Sequence, residues 1–108
     1  MTVFDKLLEK LNKIAPTSFR VVEGNHFPFI VYVFPNDRIM RADGKDYYRT
    51  VTIDIELYTN GYDHKRVRAI YDAFEALDIA HSPRVSYWIE TEKMFKNYWT
   101  IELQEDDL

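Results

Sequence analysis

Asp54 and Glu56 lie two residues apart in the alternating stretch from Val51 to Tyr58, so a strand there aims both carboxylates to one side. Such a pair does acid and base work when burial separates its pKa values. Bare spacing seldom signals catalysis, and a solvated face or a salt bridge to another subunit is the favoured reading. His26, His64 and His81 are scattered, without the helical or cross-strand spacing that holds a metal. His81-Ser82 has the atoms of a base and a nucleophile, but no nucleophile elbow or glycine-rich oxyanion loop surrounds it. Two of the three glycines sit in the turn dipeptides Asp43-Gly44 and Asn60-Gly61, leaving nothing to cradle a phosphate. No catalytic, cofactor or metal residue is assigned, and a non-enzyme is expected.

Other residues have the types that bind partners. His64, Lys65, Arg66 and Arg68 open a predicted helix, where cations oppose the macrodipole. They either pair internally with the acidic C-terminal residues or form a docking patch for an acidic partner. Arg38, Arg41, Lys45 and Asp46 crowd a predicted hairpin tip, a charged arm able to reach a neighbour. Trp88, Tyr98, Tyr58, Tyr87 and Tyr32 are more aromatic area than one small core needs, and such rings anchor interfaces as readily as they fill cores.

Composition limits the alternatives. With 108 residues the chain has the length of one domain able to bury its own core. It has no cysteine, which excludes disulfides, thiolate metal sites and thiol catalysis. The net charge is −4, with Glu102, Glu105, Asp106 and Asp107 gathered late, so nucleic-acid binding is disfavoured as the main activity. No run reaches transmembrane length, and residues 1–14 alternate charged and apolar side chains rather than forming a signal peptide. A soluble protein is expected.

The elements that position these residues follow from periodicity. Phe4, Leu7, Leu8, Leu11 and Ile14 space one buried face of a helix over about 2–14, with Thr2 as N-cap and Pro16 closing it. Phe19 to Val22 is a candidate short strand. The organising feature is a long hairpin over about 29–59, turning at Asp43-Gly44. With Ala42 facing Lys45, Phe34 faces Ile53, Tyr32 faces Ile55 and Ile30 faces Leu57, so Val51, Ile53, Ile55 and Leu57 make the core face. Pro35-Asn36-Asp37 predicts a bulge or bend in the outgoing arm. On the opposite face Phe29, Val31 and Val33 meet Tyr58, Glu56 and Asp54. That second face is half apolar, so a chain segment or another subunit must cover it. Asp63 caps a second helix over about 63–78, with Val67, Ile70, Tyr71, Phe74 and Leu77 inward. Arg84 to Glu92 and Phe95 to Leu103 alternate as two final strands, and 104–108 reads as a mobile acidic tail. The expected architecture is a single α+β domain, an antiparallel sheet with two helices on one face.

The stretches "PFIVYVFP", "ADGKDYYRTVTIDIELYTNGYD" and "SYWIETEKMFKNYWTIEL", after an amphipathic helix, resemble the tail-terminator or tail-completion proteins of siphophages and prophages of low-GC Gram-positive bacteria. The most telling pieces are Ala42-Asp43-Gly44 before Tyr47-Tyr48, the Ile55-Glu56-Leu57-Tyr58-Thr59 strand end, and Ile89-Glu90-Thr91-Glu92-Lys93-Met94. The resemblance covers nearly the whole chain. It implies a ring, typically of six subunits, that caps the head-proximal end of the tail tube and joins it to the head connector. It implies tail-tube and head-completion partners, no cofactor, no membrane, and DNA only as it passes through the lumen. The place of work would be the virion, after synthesis in the host cytoplasm. From patterning alone, the expected interface residues are Phe29, Val31, Val33, Arg38, Arg41, Lys45, Asp54, Glu56, Tyr58, Trp88 and Tyr98. Two other readings remain: another connector or tail-tube component of the same particle, and a small ligand-binding or enzymatic domain with its pocket around Phe29, Val31, Glu56 and Tyr58.

Overall fold

A computed structural model describes residues 1–20, 26–35, 39–41 and 49–108 of the chain. Helix α1 spans Val3–Ile14 and buries Phe4, Leu7 and Leu11. Its start is a reciprocal capping box: the Asp5 amide donates to Thr2 Oγ1 and the Thr2 amide donates to Asp5 Oδ2, each at 3.1 Å. Asp5 is held below the usual carboxylate range by those Thr2 bonds. The chain then forms β1 (Thr17–Phe19), β2 (Phe29–Val33), β3 (Ile39–Arg41), β4 (Arg49–Thr59), α2 (His64–Ala76), β5 (Ala80–His81), β6 (Val85–Ile89) and β7 (Met94–Gln104), and closes in a 3-10 turn, Glu105–Asp107.

These seven strands make one sheet, ordered β1-β2-β4-β7-β5, with β3 also on β4 and β6 also on β7. Both helices lie on one face, as expected. Between them and the sheet sit Leu7, Leu11, Ile30, Ile53, Ile55, Leu57, Ile70, Phe74, Trp99 and Ile101, each fully buried. Removing aliphatic side chains of this size from water stabilises by roughly 1.5–3 kcal/mol each before entropy is counted.

The hairpin register holds where the core demands it. Ile30 pairs with Leu57 and Tyr32 with Ile55, so the two apolar stripes meet. Beyond Val33 it changes: Val33 faces Asp54, but Ile39 already faces Val51, so the two stretches of ladder differ in register by three residues. The expected pairing of Phe34 with Ile53 is not made: the ladder ends at Val33, next to Pro35, which offers no amide to it. Phe34 packs instead near the rings of Phe4 and Phe19. The Asp43-Gly44 turn lies outside the described residues.

Three further expectations are corrected. The sheet is not wholly antiparallel, because β1 pairs with β2 in parallel, fixed by the Ile30 amide donating to the Pro16 carbonyl and the Arg20 amide to the Tyr32 carbonyl. The early strand occupies Thr17–Phe19 rather than beginning at Phe19, since Arg20 turns out of it with φ of 61°. The acidic end, expected as a mobile tail, has regular backbone: Gln104 completes the β7 ladder opposite Thr50, and a 3-10 turn follows. Strand β5 is two exposed residues, too short to show alternation.

Candidate interaction faces

The sheet face turned away from the helices carries a second apolar cluster of Phe29, Val31, Tyr58 and Met94, with Phe27, Val33 and Ile89 packed against it. It forms because alternation along β2, β4 and β7 sends these residues to the same side. Phe29 stacks between Phe27 and Tyr58, at ring-centroid distances of 5.6 and 4.9 Å. The chain therefore covers this face itself. Phe29 and Val31 are only 5% and 1% exposed, so the expectation that they meet another subunit is replaced by packing within the chain.

Beside that cluster lies a charged centre. Lys96 Nζ is 3.5 Å from Glu56 Oε2, with both side chains under one-fifth exposed, and it sits 5.4–5.9 Å from the ring centroids of Tyr58, Tyr87 and Tyr98. Burial opposes the Lys96 charge, but Glu56 and the surrounding tyrosines hold the ammonium well above the ordinary lysine range. Tyr58 donates its hydroxyl to Glu56 at 2.8 Å, and burial together with that carboxylate pushes its pKa up to about 12. Asp54 accepts from Thr100 Oγ1 at 2.7 Å. The two carboxylates on β4 are thus committed to different partners on their own sheet, the geometry of a structural face rather than of a shared proton.

Sheet strand β6 pairs only with β7 and leaves its other edge open among the described residues. Val85, Tyr87 and Trp88 on it are 42%, 42% and 40% exposed. Trp88 stands edge-on to Phe95 and donates Nε1–H to Glu90 at 2.6 Å. Tyr98 is half-buried, edge-on to Tyr87. Of the charged hairpin residues, Arg41 sits in β3 opposite Arg49, while Arg38 and Lys45 lie outside the described residues.

One cation at the start of α2, Arg66, bridges two helix ends. Arg66 Nε donates to the Ile14 carbonyl at 3.2 Å, closing the C-terminus of α1, and its Nη1 pairs with Asp63 at 2.6 Å. Asp63 is the α2 N-cap, accepting the Arg66 amide at 3.1 Å. Burial pushes the Asp63 carboxyl up, but the Arg66 bonds outweigh it and hold it below the usual range. A cation at the first turn of one helix is thereby placed at the negative end of another. Sequence spacing carries no sign of that contact, which joins residues 52 positions apart.

The histidines stay apart. His81 Nδ1 lies 2.8 Å from the Ser82 carbonyl rather than its hydroxyl, and Ser82 Oγ accepts from the Thr100 amide. Among the described residues no three His, Cys, Asp or Glu side chains gather as a metal site.

No protein-family model matches this chain, and no curated protein does. A solved structure does: a chain from the virion of a native gene transfer agent particle shares the fold with a TM-score of 0.55, over 95% of this chain and 90% of that one. Identity is 9%, so the likeness is one of architecture.

Proposed function

We propose that this protein is a structural component of a phage-like virion, a tail-terminator protein whose copies close a ring, six in number, on the tail tube and join it to the head connector. The observation that carries the reading is the end-to-end fold match to a virion chain, which agrees with the tail-terminator resemblance of the sequence. A ring subunit uses two different patches against its neighbours, a heterologous contact that closes. The exposed aromatic edge of β6 and the charged helix surface supply distinct patches on one small domain. Such a component works without an active site or cofactor.

Light scattering across a concentration series, with negative-stain imaging of the heaviest fraction and binding to purified tails, tests this. Six-fold rings, or decoration of the tail's head-proximal end, are the expected results. A dimer that ignores tails would overturn the reading, and binding along the tube or to heads alone would reassign the chain to a tube or connector role.

A further inference from the structure

The charged outer surface of the two helices contains a groove. Residues of α1 and α2 border two contiguous hollows of about 310 and 400 Å³, which share Lys13, Ile14 and Ala69. The floor is shallow because Ala69, Ala73 and Ala76 present only methyl groups. Lys10, Lys13, Lys65 and Arg66 stand around it against the single acid Asp72. The chain also carries the complementary charge: the turn Glu105–Asp107 bears three consecutive acids, followed by Leu108, which is 37% exposed.

Within one copy the Lys13 and Lys65 end of the groove lies far from the turn, although Ala80, four residues beyond the Ala76 end, pairs with Glu102. Gln104, which leads into the acidic turn, pairs with Thr50 at the start of β4, whereas Thr59 at its other end leads into α2. Nine residues of strand separate them, about 30 Å. The β1–β2 ladder, with Thr17 beside Ile30 and Ile30 beside Leu57, puts the Lys13 end of α1 at that far end too.

We propose that the acidic turn of one copy docks in the α1–α2 groove of the next, the Asp106 and Asp107 carboxylates against Lys10, Lys13 and Lys65 and Leu108 on the alanine floor. The contact is head-to-tail, as a closing ring requires. It rests on the ring reading only for that closure, because the docking itself is measurable between two copies.

The test uses full-length charge swaps at three exposed positions and the half-buried Asp107. A groove variant, Lys13→Glu with Lys65→Glu, and a turn variant, Asp106→Lys with Asp107→Lys, should each fold normally by circular dichroism. Each alone should associate at least about tenfold more weakly than wild type in sedimentation velocity, since several rim ion pairs are reversed together. Mixing the two should restore association. In parallel, the 15N-labelled turn variant, whose groove is intact, is titrated with the unlabelled groove variant. Saturable shifts at the Lys13, Lys65 and Ala69 amides are expected. Absent or dispersed shifts would overturn the docking, as would unchanged association in the single variants. Rings that form without these shifts would leave the ring reading standing and remove this contact. Groove shifts without any ring would do the reverse.

Discussion

Val31 and Asn97 are both fully buried on central strands, and they predict opposite responses to substitution. Val31 sits in the second cluster, so Val31→Glu forces a carboxylate into an apolar site without a partner. The expected loss is about 3–5 kcal/mol, a large share of the total stability of a small domain, read as a fall in the urea midpoint. A midpoint within error of wild type would mean the face opens to water. Asn97 is the converse case, because its side-chain oxygen and nitrogen find no hydrogen-bond partner among the described residues, nor does Trp99 Nε1 two residues on. An unsatisfied buried amide costs about 1–3 kcal/mol, so Asn97→Val is expected to raise stability. Differential scanning calorimetry should show the midpoint rise by about 5–10 °C. A lower midpoint would show that Asn97 is bonded after all.

At the scale of elements, most of the architecture was legible because period and punctuation agreed. Thr2, Asp5 and Pro16 bracket α1, Asp63 opens α2, and the apolar stripes of β2 and β4 fix their register wherever both faces are buried. Register was lost past Val33 because the stripe alone does not specify it next to a proline, and pairing from Ile39 onward differs in register by three residues. The half-apolar second face was visible in the alternation, but its cover was not, since Phe27, Ile89 and Met94 come from separate segments. Long-range contacts of this kind, like Arg66 on the Ile14 carbonyl, have no local signature. The Asp63 cap joins both levels and makes a pH-dependent prediction. Its carboxyl is held below its ordinary value in the folded chain, so its stabilisation is present above the unfolded pKa and lost as pH falls through the folded one. Asp63→Ala should therefore cost about 1–2 kcal/mol at pH 7 and progressively less below about pH 4. Chemical denaturation of both proteins at pH 7 and pH 3 checks this; a gap that stays constant would refute the charged cap.

At the scale of the whole molecule, the question is which exposed surface is exposed for a reason. A folded chain of this size tolerates scattered apolar side chains on its surface, but Val85, Tyr87 and Trp88 fall together on one strand whose outer edge is open among the described residues. Open apolar edges recruit other chains, and soluble proteins ordinarily blunt them with lysine or proline. Here Pro83 precedes the strand and no lysine lies within it. A particle component has a use for such an edge, because assembly buries it, whereas a monomer gains nothing by leaving it open. Val85→Lys separates these cases. Val85 is 42% exposed, so the substitution should shift stability by no more than about 0.5 kcal/mol while the charge blocks pairing at the edge. Co-sedimentation with purified tails and native mass should then fall together, with the melting curve unchanged. Assembly at the wild-type level would assign the edge no part in the particle and leave the helix groove as the surface through which copies meet.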